Sequence, residues 1–225
     1  GLVCALMLGK RRGYGRDNLA PHNLVLTMIG GSLLFVGWIG FNAGSAWAAD
    51  SIAAMALLNT LLAAATGVVG WVLPEWISRK KPTLLGMLSG LIAGLVGITP
   101  AAGFVAPGGA MAIGLLTGVA CYVASTWLKA KFRYDDSLDA FGLHGIGGLV
   151  GAVLTAVFAT VSVNALSGGA DVLKQLVGAL IVALWSAVLT AAILWLCRLT
   201  VGLRVSDEDE VQGLDTTQHG EALHS

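Results

Sequence analysis

The sequence predicts an all-α polytopic membrane protein, with six complete transmembrane helices and the end of a truncated one before them. The first observation is composition: 56% of the 225 residues are hydrophobic and 12% are charged, with a mean hydropathy of +0.80. Soluble domains carry about 25% charged residues. In addition, charges divide the chain into long charge-free runs, and basic residues gather in alternate loops.

This composition argues against several other classes. A soluble domain, a nucleic-acid-binding protein and a disordered chain all carry more charge. Lys plus Arg equal Asp plus Glu at 13 each, so the net charge gives no information about partners. The 31 glycines lack the strict period of collagen. Cys4, Cys121 and Cys197 stand singly, without metal-ligand spacing. We therefore expect buried, unreactive thiols and neither a metal site nor a cofactor.

The charge-free runs predict the elements in chain order. Residues 1–9 are apolar but too short to span a bilayer, so we interpret them as the end of a helix whose start lies upstream. A transmembrane helix needs about 20 apolar residues. The runs that follow predict six spans, near 24–49, 51–73, 83–98, 108–128, 140–160 and 172–199.

Two of these spans need a further argument. The charge-free run 82–128 is too long for one helix, and Pro100 and Pro107 fit a turn inside it. The helix before this turn is short, and we expect it to continue into the loop. Asp135, Asp136 and Asp139 could each cap the start of the fifth span. Asp139 is the expected cap, because that helix is predicted to begin at Ala140.

Basic residues distinguish the two sides of the membrane. With six alternating spans, the loops 10–23, 74–82 and 129–139 lie on the same side as the tail from residue 198. These segments hold 12 of the 13 Lys and Arg residues, and only Lys174 lies elsewhere. Excess positive charge in short loops marks the cytoplasmic side. The C-terminus is therefore predicted to be cytoplasmic.

Glycine spacing predicts closely packed helices. Gly86, Gly90, Gly94 and Gly97 recur at intervals of four, four and three in the third span, and glycine also crowds the fifth. Small residues on one face let helix backbones approach closely in lipid. Such a bundle suits a channel, a transporter, an intramembrane enzyme or a purely structural subunit.

Polar and aromatic residues at membrane depth indicate candidate functional positions. His144 lies in an apolar span, where ionisable side chains are costly and tend to face a cavity or a partner. The alternative is a structural hydrogen bond to a neighbouring helix. Trp38, Phe41 and Ser45 recur at i, i+3 and i+7, which predicts one shared helix face. An aromatic face is also typical of packing or of an interfacial belt.

The tail is the most acidic part of the chain. Residues 204–225 carry six of the 13 acidic residues and are predicted to lie outside the membrane. Composition alone leaves open whether this tail is disordered. His219 and His224 have no metal-ligand spacing and are expected to be solvated.

Four stretches together resemble the ammonium transporter family (Amt/Mep/Rh), and its bacterial branch in particular. They are GWIGFNAGSA (37–46), SGLIAGLVGITPAAGFV (89–105), DDSLDAFGLHGIGGLVG (135–151) and GLRVSDEDEVQGLDTTQHGE (202–221). The resemblance covers essentially the whole chain. It implies the last six of eleven transmembrane helices plus the end of the fifth, in a homotrimer of the cell membrane with one pore per subunit. The chain then divides into the end of a truncated helix at 1–9, a cytoplasmic loop at 10–23, a six-helix bundle at 24–199 and a cytoplasmic regulatory tail at 200–225.

The resemblance implies roles for individual residues. His144 matches the second histidine of the family's pore pair, and Phe41 matches one of two stacked phenylalanines that gate the outer end of the pore. Ser45 matches the serine of the outer ammonium-recruitment site. Trp38 matches a pore-lining tryptophan on the inner side of the gate, and Thr99 matches a residue near the outer vestibule.

Other family features lie elsewhere or have no assigned role. Asp136 and Asp139 match acidic positions on the cytoplasmic side. The other pore histidine, the other gating phenylalanine, the recruitment-site tryptophan and a structural aspartate lie upstream of these residues in the family. The implied function therefore belongs to a parent protein: recruitment of ammonium, deprotonation and passage of ammonia through an apolar pore containing His144. A fragment that lacks one pore wall is not expected to conduct.

The resemblance also implies partners and an alternative function. The tail would bind a PII-type signalling protein that blocks the pore, and we expect neither an enzyme activity nor a nucleic-acid partner. The alternative is an ammonium sensor on the same fold that signals to such a cytoplasmic partner, although the short tail favours the transporter. An intramembrane enzyme would need a second catalytic group at membrane depth, and the sequence offers no second candidate.

Overall fold

The fold is described for residues 1–221 by a computed structural model of the chain. Residues 222–225, which include His224 and the end of the predicted tail, lie outside the described part. Two of the long helices contain π-helical segments, at Ala124–Leu128 and Phe141–Ile146. The helices, in chain order, are α1 Leu2–Leu8, α2 Leu24–Gly44, α3 Ser51–Arg79, α4 Leu84–Ile98, α5 Pro107–Phe132, α6 Phe141–Phe158, α7 Val172–Thr200 and α8 Asp207–Gln212.

The all-α polytopic fold class is confirmed. Each predicted span corresponds to a helix, and within residues 1–221 five helices (α2, α3, α5, α6 and α7) are long and apolar enough to cross a membrane. Helix α4 has 15 residues, fewer than the about 20 that a bilayer requires. The described residues contain a single β pairing, an isolated bridge between Val105 and Ala159.

Helix α3 is longer than the sequence predicts. It continues past residue 73 through Pro74 to Arg79, and Lys80 ends it in the left-handed conformation with a φ of 62°. A proline inside a helix costs about 3 kcal/mol. Packing against α4 and α5 offsets this cost. The buried carboxylate of Glu75 also accepts hydrogen bonds from the N–H and the hydroxyl of Thr83, at 3.2 and 2.8 Å.

Glycines allow α3, α4 and α5 to pack with their main chains in contact. A Cβ on Gly94 of α4 would lie 2.1 Å from the carbonyl oxygen of Ala63. One on Gly67 of α3 would lie 2.5 Å from the carbonyl oxygen of Gly90, and one on Gly118 of α5 would lie 2.4 Å from that of Gly67. No side chain fits at these positions, so close helix packing depends on glycine.

The chain turns immediately after α4, so the expected continuation of this helix is wrong. Residues 99–104 form consecutive turns. The buried side chain of Asn59 donates hydrogen bonds to the carbonyl oxygens of Ala102 and Val105, both at 2.8 Å. These bonds satisfy carbonyl groups that a helix would satisfy internally, and Pro100 has no N–H to donate within a helix. The turn is therefore tied to α3.

Helices α2 and α7 leave most of their apolar surface uncovered. No residue of α7 is buried, and α2 buries only Gly31 and Asn42. Helix α7 contacts α1 and α6. Apolar surface of this extent is expected to face lipid or another protein surface.

The segment after α1 packs against the described part of the tail. Arg204 donates a hydrogen bond to the carbonyl oxygen of Lys10 at 2.7 Å and forms an ion pair with Glu210. The main-chain N–H of Arg12 donates to the Glu210 carboxylate at 2.9 Å. Ser206 caps α8 by accepting a hydrogen bond from a main-chain N–H of its first turn at 3.1 Å. Residues 204–212 therefore pack against the loop that follows α1.

Candidate functional site

Trp38 lies at the centre of the candidate site, on α2. Its indole N–H donates a hydrogen bond to the hydroxyl oxygen of Thr99 at 2.8 Å. The Thr99 hydroxyl in turn donates to the carbonyl oxygen of Leu95 at 2.7 Å. A buried or half-buried indole needs such a partner for its N–H. This chain of hydrogen bonds fixes the indole ring against the end of α4.

Three aromatic side chains from α2 and α6 form a row, which we call the aromatic row: Phe41, Trp38 and His144. The Trp38 and His144 rings stack with an interplanar angle of 13° and 6.3 Å between centroids. The Trp38 and Phe41 rings meet edge to face at 72°, with centroids 6.2 Å apart. Both are favourable geometries for aromatic pairs. The structure therefore brings together His144 and the aromatic pair Trp38 and Phe41, which the sequence singled out in two different spans.

The aromatic row lies beside an open apolar depression of about 560 Å³ on α2. Phe41 is 61% exposed, and His144 is also exposed. All the lining residues come from α2, so one wall of this depression is present in the described residues. The lining consists of Gly30, Leu33, Leu34, Gly37, Trp38 and Phe41.

Ser45 lies just beyond the last residue of α2. It is exposed, and its hydroxyl donates a hydrogen bond to the carbonyl oxygen of Phe41 at 2.7 Å. Its φ and ψ of −64° and −10° are still helical. The predicted shared face with Trp38 therefore extends to the very end of the helix, where the hydroxyl bonds to the main chain.

The prediction that Asp139 caps the His144 helix is wrong. The carboxylate of Asp136 accepts hydrogen bonds from the N–H groups of Ala140 at 3.1 Å and Phe141 at 2.7 Å. Asp139 adopts a left-handed conformation with a φ of 53°, and its carboxylate forms an ion pair with Lys129. The physical reason is that the Asp139 carboxylate is paired with Lys129, whereas the Asp136 carboxylate lies within hydrogen-bonding distance of two N–H groups at the start of α6.

The loop before α6 holds acidic side chains with different partners. Asp135 accepts three hydrogen bonds from Arg11, from the main-chain N–H at 2.8 Å, from Nε at 2.9 Å and from Nη2 at 2.7 Å. Burial acts to raise the pKa of Asp135, but the hydrogen bonds and charge of Arg11 outweigh it and lower the pKa overall. Burial raises the pKa of Asp139, although the Lys129 ammonium acts in the opposite direction. Asp135 therefore binds Arg11, and Asp139 binds Lys129.

Two polar residues of α5 near His144 were not predicted as part of the site. The buried thiol of Cys121 donates a hydrogen bond to the carbonyl oxygen of Leu143 at 3.6 Å. Ser125, one turn further along α5, is buried beside Gly142. Their spacing of four residues places them on one helix face. That spacing was the only available signal, and it does not identify the facing helix.

The described residues hold no evident metal site. Among residues 1–221, no group of three or more His, Cys, Asp or Glu side chains is arranged to hold a metal ion. What the aromatic row can offer a ligand is π surface from Trp38 and Phe41 and an imidazole that can donate or accept a proton.

Sequence comparisons match the chain with one group of proteins. A model of the Ammonium Transporter Family matches residues 1–223. An ammonium transporter of Bacillus subtilis is 49% identical over 233 aligned positions, which cover 100% of this chain and 57% of the relative. An ammonium transporter of Aquifex aeolicus is 46% identical, with 100% of this chain and 53% of the relative covered. The chain thus spans about half the length of these curated relatives.

Solved structures give the same result. The crystal structure of Saccharomyces cerevisiae Mep2 superposes with a TM-score of 0.83 at 37% identity, covering 92% of this chain and 50% of that one. A structure described as a sensor Amt protein superposes with a TM-score of 0.87 at 29% identity, covering 96% of this chain and 56% of that one. The fold and the sequence are therefore similar to the same group of proteins.

Proposed function

Because this chain belongs to the ammonium transporter family, we propose that the full gene product containing it transports ammonium across the cell membrane. The observation that supports this most directly is the aromatic row, in which Trp38 stacks on His144 and meets Phe41. The row is flanked by an apolar depression. It combines a π surface for a cation with an imidazole that can hold a proton.

The physical chemistry favours a path in which the ion gives up its proton. Moving an ammonium-sized ion into a low-dielectric medium has an idealised cost on the order of 20 kcal/mol. Ammonium can avoid this cost by continuing as ammonia, which potassium cannot do. A cation–π contact contributes about 0.5–2 kcal/mol, enough to gather the ion without trapping it. A neutral imidazole donates at one nitrogen and accepts at the other, which suits His144 to hand on a proton.

The hydrogen bonds suggest distinct roles for the remaining residues. Ser45 lies at the exposed end of α2 near Phe41 and would offer its hydroxyl oxygen to ammonium in the outer recruitment site. Thr99 would orient Trp38, since its own hydroxyl proton is directed to a main-chain carbonyl. Asp136 would hold the start of α6, and Asp139 would hold Lys129 near the same end.

Transport would need a second wall. The depression is lined by α2 alone, and Phe41 is 61% exposed on its open side. The chain covers 57% of its Bacillus subtilis relative. We propose that a segment outside these residues closes the pore, and that the 225 residues alone do not conduct.

The decisive test is an ammonium jump on proteoliposomes that contain the full gene product. We expect a transient current or a change in internal pH with ammonium, no response to an equal potassium jump, and an altered response in His144→Leu. His219→Leu is the matched control, since it removes a histidine outside the membrane helices. Absence of any ammonium response in a folded wild-type protein would refute the transport function.

Assembly and regulation are further parts of the proposal. We propose a homotrimer in the cell membrane with the tail on the cytoplasmic side, where residues 200–225 bind a PII-type protein. A preformed docking surface is supported by the packing of the tail, in which Glu210 accepts a hydrogen bond from Arg12 and pairs with Arg204. Co-purification of a PII-type protein with wild type but not with Glu210→Ala, together with a trimeric mass in detergent, would support it.

A sensor is the second candidate. It is favoured by the structural neighbour described as a sensor Amt protein, with its TM-score of 0.87. A sensor would bind its cytoplasmic partner in an ammonium-dependent manner without ammonium flux. The proteoliposome measurement distinguishes the two functions, because only the transporter changes the internal pH or the current.

A further inference from the structure

Two π-helical segments within membrane helices pack against each other next to His144. One is Ala124–Leu128 in α5, and the other is Phe141–Ile146, which carries the histidine. A π-helical turn contains an extra residue and is rare, and it is frequent at functional sites. A local return to α-helical geometry would rotate the downstream side chains by about 100° relative to those upstream. The register of this segment therefore decides where the imidazole points.

The two segments meet where Gly142 lies against Ser125. A Cβ on Gly142 would lie 2.3 Å from the Ser125 hydroxyl oxygen and 3.2 Å from its main-chain nitrogen. Ser125 is 5% exposed, and its hydroxyl has no hydrogen-bond partner within the part of the chain that the structure describes. A buried hydroxyl without a partner is costly. The side chain is therefore held there by packing and not by a bond of its own.

A second contact holds the neighbouring residue. The Cys121 thiol, one turn before Ser125 on α5, donates to the carbonyl oxygen of Leu143 at 3.6 Å. The two residues that precede His144 are thus both in contact with one face of α5. On the other side, the imidazole stacks on Trp38. The imidazole is in this way placed between a fixed main chain and a fixed indole.

We propose that the contact between Gly142 and Ser125 positions His144 against Trp38 by setting the register of the π-helical segment. Gly142 and Ser125 act on the imidazole through the main chain, as positioning residues. This inference deepens the proposed function. It rests on that function only for the flux measurement. The stacked geometry itself can be tested without transport.

The test is a size exchange across the contact in the full gene product. Gly142→Ala places a methyl 2.3 Å from the Ser125 hydroxyl, whereas Gly148→Ala, in the same helix, meets nothing within 4 Å. Adding Ser125→Ala to Gly142→Ala removes the hydroxyl, so that the nearest atom of residue 125 is the main-chain nitrogen at 3.2 Å. This remaining contact requires a shift of only a few tenths of an ångström, so the double variant should recover most of the wild-type register.

The readout is the ring-current shift that Trp38 imposes on the His144 imidazole protons. It is measured by solid-state NMR on histidine-labelled protein, with His144→Gln to assign the signal and Trp38→Leu as the zero reference. We expect Gly142→Ala to lose most of the shift, the double variant to regain it and Gly148→Ala to keep it. Ammonium flux should change in parallel: it should fall in Gly142→Ala, recover in the double variant and stay at the wild-type level in Gly148→Ala.

Two outcomes would overturn the positioning contact. One is an unchanged shift in Gly142→Ala, and the other is a folded double variant that fails to regain it. Because the shift is read without transport, either outcome leaves the proposed function untouched. Absence of flux in the wild type would refute the proposed function while leaving the NMR result to decide the positioning contact.

Discussion

Replacing Asp136 by alanine should destabilise the start of the helix that carries His144. The carboxylate accepts hydrogen bonds from Ala140 and Phe141 at 3.1 and 2.7 Å, and the residue is 7% exposed. Alanine would leave both N–H donors without this partner at a place that water barely reaches. Asp139→Ala is the matched control, because the carboxylate that it removes lies in the same loop but does not cap the helix.

The two substitutions should differ clearly in free energy of unfolding. Loss of one helix cap costs about 1 kcal/mol, and a hydrogen bond to a charged group contributes about 1.5–3 kcal/mol. With two such bonds lost, Asp136→Ala should cost about 3 kcal/mol. The side chains of Asp139 and Lys129 are 31% and 24% exposed. Breaking a partly exposed ion pair should cost about 1 kcal/mol or less.

The assay is reversible unfolding of the full gene product in mixed micelles, followed by circular dichroism as the SDS fraction rises. The unfolding midpoint of Asp136→Ala should fall well below that of Asp139→Ala, and both should fall below wild type. Equal losses, or a larger loss for Asp139→Ala, would refute the reasoning and favour the cap at Asp139 that the sequence predicts.

Three other substitutions test other parts of the structure. Gly94→Ala would place a methyl 2.1 Å from a carbonyl oxygen of α3 and should lower the free energy of unfolding by about 2 kcal/mol or more in the same SDS titration. Its control, Gly178→Ala, meets nothing within 4 Å and should lower it little. Equal losses of stability in the two variants would contradict the packing argument. Asn59→Ala removes two buried 2.8 Å hydrogen bonds and should cost about 2–4 kcal/mol, with faster amide exchange in the turn after α4; unchanged exchange would count against it. Asp135→Asn tests pH dependence: the pKa of Asp135 is lowered from its ordinary 3.8, so its ionised form stabilises the fold above pH 3.8 and this stabilisation is lost as the pH falls through the lower folded value. The stability gap between wild type and Asp135→Asn should therefore narrow in acid, and a gap that stays constant down to about pH 2 would contradict the link to Arg11.

The transmembrane helices were predictable because hydropathy and charge are local properties of the sequence. The residues at which these helices end were harder to predict. Helix α3 continues through Pro74 because packing against two other helices outweighs the cost of a proline. Helix α4 stops at Ile98 because Asn59, far away in the sequence, binds the carbonyl groups that follow it. Neither partner can be identified from the residues around the helix end.

The candidate site was predictable in its parts and not in its assembly. Helical spacing placed Trp38 and Phe41 on one face, and an ionisable residue in an apolar span singled out His144. Their stacking requires α2 and α6 to meet, although three helices separate them in the chain. The cap was expected at Asp139 because the helix was predicted to begin at Ala140. In the fold, Asp139 is paired with Lys129, and the N–H groups of Ala140 and Phe141 bind Asp136 instead.

The membrane class, the order of the helices and the residue types that could bind a cation or a proton could therefore be deduced from the residues alone. These follow from the free energy of transfer into lipid and from helical periodicity, both of which act over neighbouring residues. Three contacts could not be deduced in this way: Thr99 bonds to Trp38, Trp38 stacks on His144, and the His144 segment packs against α5. Those contacts join residues that are distant along the chain, and their geometry exists only once the helices have packed.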